Sequence, residues 1–204
     1  MRAVIITGGH IRDYNFAKSQ ISVSDTIICA DSGYDHAVKM DIRVDYLLGD
    51  FDSIGAVPSG VKTIRFPTKK DYTDTELAIE FALKQGYKDI LLLAATGTRM
   101  DHSLTNIFLL KHILSQGAKA AIIDEHNKIV ITDSCHEIIE APKSIISLVP
   151  LTDCHGVSTA GLEYPLKNAS LHVGKGLGVS NIVVSSPATV SIEKGLLLVI
   201  VACD

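Results

Sequence analysis

The sequence predicts an α/β protein in two parts, a mostly parallel sheet with helices on both faces followed by an all-β, sandwich-like domain. Up to about residue 124, short apolar runs of strand length alternate with segments of helical period. From Lys128 onward no helical period recurs, and short β-rich runs follow one another between Pro, Gly, Asn and Asp. The length of 204 residues, 47% of them apolar, suits one large domain or two small ones. We therefore predict domains over 1–124 and 125–204.

The first half is predicted to begin with a buried strand over 2–7, which ends at the turn Thr7-Gly8-Gly9. Further strands are predicted over 25–30, up to Leu48, over 62–66, 89–95 and 119–123, with helices over about 13–20 and 34–40. A third helix starts near Thr73, because Thr73 and Glu76 form a capping-box pattern. A fourth follows Asp101 and is predicted to carry an apolar set of Leu104, Ile107, Phe108, Leu110 and Ile113.

The second half is predicted to be a series of short antiparallel strands. They fall over 128–132, 136–140, 144–149, 156–159, 169–173, 179–185, 188–192 and 196–202. The glycine-rich stretch 174–178 lacks the residue order of a phosphate-binding P-loop and precedes no helix, so we interpret it as a β-turn.

Composition excludes several classes of partner. The net charge is −4 with no basic block, and tryptophan is absent, which argues against nucleic acid. No apolar run approaches the ~18 residues that a membrane span needs. The four cysteines form no C-x-x-C pair, so we expect reduced thiols in a cytoplasmic protein.

Two aspartates directly follow a predicted strand. Leu47 and Leu48 precede Gly49, and Asp50 and Asp52 come next, two residues apart. In an extended chain such residues point to the same side, so both carboxylates are able to face one Mg²⁺, a cation that prefers oxygen ligands. The alternative is a solvated turn, since Asp and Gly are ordinary turn residues.

Polar clusters recur where predicted strands end or helices begin. They are residues 7–9, 31–33, 49–53 and 96–101, with Asp71 and Asp74 at a helix start. In open α/β sheets the carboxyl edge is where ligands bind, glycines there allow close approach, and helix amino ends favour anions. Arg99 adds a planar donor group suited to phosphate. This pattern predicts a phosphate-binding crevice.

Each of these residues also has a structural interpretation. In this interpretation Asp74 only interacts with the helix dipole, and Thr73 is only an N-cap. Asp101 is a possible N-cap, Arg99 a possible surface ion-pair partner, and His102 a possible packing residue.

Three motifs in order resemble those of the thiamin pyrophosphokinases. They are Gly49-Asp50-Phe51-Asp52-Ser53, then Asp71-x-Thr73-Asp74, then Gly97-x-Arg99-x-Asp101-His102 with Asn106. The tail Leu177-Gly178-Val179-Ser180-Asn181 and the closing apolar strand over 195–201 are similar to the family's β domain. The chain departs from the family in having lysines at 69 and 70, Gly97-Thr98 in place of a glycine pair, and no tryptophan to stack on thiamin.

The resemblance implies transfer of a pyrophosphoryl group from ATP to thiamin, with AMP as the other product. It also implies a homodimer with active sites between subunits. It implies that Asp50, Asp52 and Asp71 hold Mg²⁺ and that Arg99 stabilises the negative charge of the phosphates. Asp74 would either accept the hydroxyl proton or join the metal shell. Asp101 would orient Arg99 or contact a substrate. The expected ATP contacts are Asp31, Ser53, Arg99, His102 and Asn106, and the expected thiamin contacts are Ser180 and Asn181.

Two other functions use the same residues. A Mg²⁺-dependent phosphohydrolase would employ the same carboxylates with water as nucleophile. A nucleotide- or thiamin-binding regulator would need them for affinity alone.

Overall fold

The computed structural model describes residues 1–50, 60–66 and 71–203. The chain divides into two compact units, Met1–Glu125 and His126–Asp204. No described helix is both long and apolar enough to cross a membrane.

The first unit alternates strands and helices, as the apolar pattern predicts. Its described strands are β1 (Ala3–Ile6), β2 (Thr26–Ala30), β3 (Tyr46–Gly49), β4 (Lys62–Arg65), β5 (Asp89–Leu93) and β6 (Lys119–Ile123). Its helices are α1 (Tyr14–Ser19), α2 (Gly33–Lys39), α3 (Asp74–Lys84) and α4 (Met100–Ser115). The Thr73 side chain caps α3 by accepting the Glu76 amide at 3.1 Å, which is half of the predicted capping box.

All described strand pairs of the first unit are parallel, in the order β6-β5-β1-β2-β3-β4. The apolar strands are buried because helices cover both faces. Val4 and Ile6 pack in one cluster with Ala17 of α1 and Ala37 of α2. The alternate residues point to the opposite face, on which α3 contacts β1, β2 and β3. The strand order reverses at β1, which lies between β2 and β5.

The fourth helix buries only part of its predicted apolar set, Leu110 and Ile113. Its buried residues are Ser103, Asn106, Leu110 and Ile113, whereas Leu104 is 46% and Phe108 56% exposed. The buried set is still spaced three and four residues apart, but its first two members are polar.

The second unit is built of two antiparallel sheets. The first sheet has the order β12-β9-β14-β7 and the second β11-β10-β13-β8. The strands are β7 (Asn127–Thr132), β8 (Cys135–Ile138), β9 (Ile145–Pro150), β10 (Cys154–Ala160), β11 (Ala169–Leu171), β12 (Asn181–Ile182), β13 (Ala188–Ser191) and β14 (Leu197–Ala202). Side chains from both sheets, such as Leu148, Val157, Val190 and Val199, share one apolar cluster. This is the packing of a sandwich.

Candidate active site

A cavity of about 420 Å³ opens at the carboxyl edge of the parallel sheet. Its walls are residues 7–10 after β1, 30–32 at the end of β2, 73–75 at the start of α3 and 95–99 after β5, together with His102, Ser103 and Asn106 of α4. It therefore lies where the strand order reverses between β1 and β5. In open α/β sheets this switch point is the general place for a ligand.

The turn Gly8-Gly9 forms one wall and is fastened to the segment after β5. The Gly9 amide donates to the Ala94 carbonyl at 2.8 Å, and the His10 amide donates to the Thr96 carbonyl at 2.8 Å. A Cβ at Gly9 would overlap both of those carbonyl oxygens. Glycine is required here because two backbone segments approach each other too closely for a side chain.

Two strand ends beside the cavity have left-handed backbone. Asp31 after β2 has φ +45°, and Ala94 after β5 has φ +54°. For residues with a Cβ this conformation costs of order 1–3 kcal/mol, and such strain clusters at functional sites. The Ala94 carbonyl accepts hydrogen bonds from the Gly9 amide and the Thr7 hydroxyl. Ala94, although strained, therefore connects the segment after β5 to the segment after β1.

Buried polar side chains of α4 hold the turn that follows β5. Ser103 Oγ accepts the Gly97 amide at 3.1 Å and donates to the Arg99 carbonyl at 3.1 Å. The Asn106 amide nitrogen donates to the Ala95 carbonyl at 2.7 Å. The sequence motifs include Asn106 but not Ser103, which was therefore missed. Its signal was the spacing 103, 106, 110, 113, in which two polar residues continue an apolar stripe.

Several predicted acidic residues lie around this edge. Asp31 and Asp74 line the cavity, and Asp50 follows β3 at the same edge. The ends of β2 and β3 are close, because the Asp31 amide donates to the Leu48 carbonyl at 2.7 Å and a Cβ at Gly49 would lie 3.3 Å from Asp31 Cα. Asp71 is exposed just before α3. Asp52 and Ser53 lie outside the described residues.

Arg99 and Asp101 form an exposed bidentate ion pair. Arg99 Nε donates to Oδ1 at 3.2 Å and Nη2 donates to Oδ2 at 2.5 Å, with the two side chains 70% and 63% exposed. The hydrogen bond from Arg99 lowers the pKa of Asp101 to about 2, and the same bond raises the pKa of Arg99. The N-cap alternative for Asp101 is wrong, because Arg99 occupies the N-cap and Asp101 lies in the first turn of α4.

The two residues predicted to contact thiamin lie in the second unit and differ in exposure. Ser180 is exposed, with a left-handed φ of +58° and its amide donating to Ser147 Oγ at 3.0 Å. Asn181 is 5% exposed, and its side chain accepts the amides of Tyr164 and Ile182 and donates to the Tyr164 carbonyl at 2.7 Å. These bonds give Asn181 a structural task in β12, so Ser180 is the more accessible of the two.

The acidic edge suits a hard cation that also binds a phosphorylated substrate. Among the described residues, which exclude Asp52, no three His, Cys, Asp or Glu side chains group closely enough to hold a metal ion by themselves. Mg²⁺ usually takes only one or two carboxylates and completes its shell with phosphates and water. The donor set at the ends of β2 and β3 therefore fits Mg²⁺ carried in with a polyphosphate.

Comparison with known proteins assigns both units. The model of the thiamin pyrophosphokinase catalytic domain matches residues 17–122, and that of the vitamin B1 binding domain of thiamin pyrophosphokinase matches residues 135–197. The chain belongs to the thiamin pyrophosphokinase family. The thiamine pyrophosphokinase of Bacillus subtilis is 33% identical over 165 residues, which cover 76% of this chain and 77% of that protein.

Solved structures give the same fold. The crystal structure of a thiamine pyrophosphokinase from Bacillus subtilis superimposes with a TM-score of 0.90 at 29% identity, covering 100% of both chains. The thiamin pyrophosphokinase from Candida albicans superimposes with a TM-score of 0.79 over 99% of this chain and 89% of that chain. At 18% identity this similarity supports the fold alone. The predicted fold class, a parallel α/β sheet followed by an antiparallel β domain, is confirmed.

Proposed function

We propose that this protein transfers the pyrophosphoryl group of ATP to the hydroxyl of thiamin, giving thiamin diphosphate and AMP. The observation that carries the proposal is the cavity at the switch point of the parallel sheet, in the unit that the family's catalytic domain matches. The thiamin oxygen bonds to the β-phosphorus of ATP while the bond from that phosphorus to the AMP oxygen breaks. Such transfers depend on positioning and on neutralising charge rather than on a covalent enzyme nucleophile.

Cavity residues supply the contacts for the phosphates. The amino ends of α3 and α4 both border the cavity and favour negative charge. Arg99 gives Asp101 one N–H each from Nε and Nη2, which leaves its Nη1 group for a phosphate oxygen. We also assign the cavity residues Asp31, His102 and Asn106 to ATP, together with Ser53, which lies outside the described residues.

The acidic residues have two tasks in this proposal. Asp50, Asp52 and Asp71 would hold Mg²⁺, which when bound neutralises triphosphate charge. Asp74, in the first turn of α3 and in the cavity wall, is the candidate to accept the proton of the thiamin hydroxyl or to join the metal shell. The cationic ring of thiamin also suits an acidic site.

The second unit would supply the thiamin contacts, since the family's vitamin B1 binding domain matches it. We assign Ser180 and Asn181 to thiamin, the first through its side chain and the second chiefly by shaping the backbone around it. We further propose a cytoplasmic homodimer. Light scattering should give a mass twice the 21.9 kDa of the chain.

One assay separates this function from its rivals. Purified protein is incubated with Mg²⁺ and ATP, with and without thiamin, and AMP and thiamin diphosphate are quantified by chromatography. We expect AMP and thiamin diphosphate in equal amounts and only when thiamin is present. AMP or free phosphate without thiamin would indicate a phosphohydrolase, and ligand binding without turnover would indicate a regulator.

A further inference from the structure

A histidine outside the predicted site touches its glycine wall. His36 lies on α2, half-buried. Its Nε2 is 3.1 Å from the Gly9 carbonyl oxygen, and its Nδ1 is 2.9 Å from the Tyr14 hydroxyl of α1. The ring therefore connects both helices on one face of the sheet to the turn beside the cavity.

The two partners define which ring nitrogen carries the proton. A carbonyl oxygen only accepts, so Nε2 donates to Gly9. In the neutral ring Nδ1 then accepts from the Tyr14 O–H. Burial lowers the pKa of His36, the charges of Lys39 and His10 lower it further, and the Gly9 carbonyl and Asp35 oppose them. The neutral form, with its proton on Nε2, is thus the form present at neutral pH.

Gly9 is held through both of its backbone polar groups. Its amide bonds to Ala94 after β5, and the next amide bonds to Thr96. The Gly9 carbonyl oxygen accepts a hydrogen bond from His36 Nε2. The glycine turn has no side chain to pack, so these backbone bonds fix its position.

We propose that His36 is a positioning residue, which holds the Gly8-Gly9 wall of the cavity at the separation from the 95–99 turn that the substrate requires. Its anchoring of the turn stands on contacts alone. Its effect on the KM for ATP rests on the function proposed above, in which this cavity binds ATP.

Three variants test the proposal. His36→Ala removes the donor to Gly9, and His36→Gln keeps an N–H in its place. His112→Ala is the matched control, because His112 also bonds through Nε2, to Glu80 at 2.5 Å, but lies on α4 away from the cavity lining. The measurements are amide hydrogen exchange at Gly9 and His10 without substrate, the KM for ATP, and kcat.

We expect His36→Ala to speed exchange at both amides and to raise the KM for ATP by roughly 3- to 10-fold, as for one lost hydrogen bond. Its kcat should stay within about 2-fold, since no reacting atom loses a contact. His36→Gln should restore exchange and KM, and His112→Ala should change neither.

Two results would overturn the proposal. One is unchanged exchange and KM in His36→Ala. The other is a His36→Gln variant as impaired as His36→Ala, which would mean that ring packing rather than the bond to Gly9 matters. If His36→Ala fails to fold, His36→Phe, which keeps an aromatic ring but has no N–H donor, takes its place, and wild-type exchange and KM in that variant would overturn the proposal. If no form of the protein, wild type included, makes AMP from ATP and thiamin, the proposed function fails. The hydrogen exchange at Gly9 and His10 then still tests whether His36 holds the Gly8-Gly9 turn.

Discussion

Replacing Arg99 by lysine should separate activity from stability. The Arg99 side chain is 70% exposed and that of its ion-pair partner Asp101 is 63% exposed, so the pair stabilises the fold little. Lysine keeps the charge but has three N–H donors without a fixed plane, against five in arginine. If lysine still serves Asp101, at least one charge-assisted bond to phosphate is lost. Such a bond corresponds to roughly 10- to 100-fold in rate.

We therefore expect Arg99→Lys to lower kcat/KM for ATP by about 10- to 100-fold while the Tm changes by less than about 3 °C. The assay is thiamin-dependent AMP formation alongside thermal unfolding. Arg43→Lys is the control, because Arg43 also pairs with an aspartate two residues later, Asp45, and is 85% exposed outside the cavity. Wild-type kinetics in Arg99→Lys, or an equal loss in both variants, would refute the assignment of Arg99 to phosphate.

Three further variants probe the metal, a helix cap and a charge. Asp52→Asn should lower kcat at least ~10²-fold at saturating Mg²⁺ with an unchanged fold, and near-normal turnover would remove Asp52 from the metal site. Thr73→Ala should lower the free energy of unfolding by about 1 kcal/mol, because the Glu76 amide loses its hydrogen bond to the Thr73 hydroxyl. Chemical denaturation measures this change, and an unchanged free energy of unfolding would mean that this hydrogen bond does not stabilise the helix. Asp25 is paired with Arg2. Burial raises the pKa of Asp25, but the hydrogen bonds from Arg2 and from the Ser22 amide, together with the charge of Arg2, outweigh burial and leave that pKa below its ordinary value. The stability gap between wild type and Asp25→Asn should therefore be constant near pH 7 and shrink below about pH 4, and a gap that persists at pH 2 would contradict this.

Strand positions were predictable because parallel strands buried on both faces leave near-continuous apolar runs. The runs over 25–30 and 89–95 became Thr26–Ala30 and Asp89–Leu93. The strand order was not predictable from these runs. Nothing in the apolar residues of β1 distinguishes β5 from its other possible neighbours, and the choice depends on how the crossover helices pack.

The face of α4 shows the limit of apolar periodicity. Leu104 and Phe108 continue the apolar pattern but are exposed, because the helix turns Ser103 and Asn106 toward the sheet. Those two side chains satisfy the backbone of the turn after β5, and an unsatisfied buried amide or carbonyl costs about 1–3 kcal/mol. A requirement of the backbone therefore outweighs the burial of two apolar side chains.

His36 was missed for a related reason. No motif includes it, and its partners, Gly9 and Tyr14, are 27 and 22 residues away in the chain. Its role depends on a backbone carbonyl, which carries no signal in the residue type. The aspartates and Arg99 carry a signal in the sequence because the motifs that contain them are short and their spacing is local.

The central place of β1 has a consequence for biosynthesis. Ala3–Ile6 leaves the ribosome before both of its neighbours, and the second of these, β5, ends only at Leu93. At a translation rate of ~5–20 residues per second, this second neighbour follows after roughly 5 to 20 s. During that interval one edge of a fully apolar strand has no native partner, which is the situation that invites wrong pairing. The nascent protein is thus exposed to wrong strand pairing at β1 until β5 has been made.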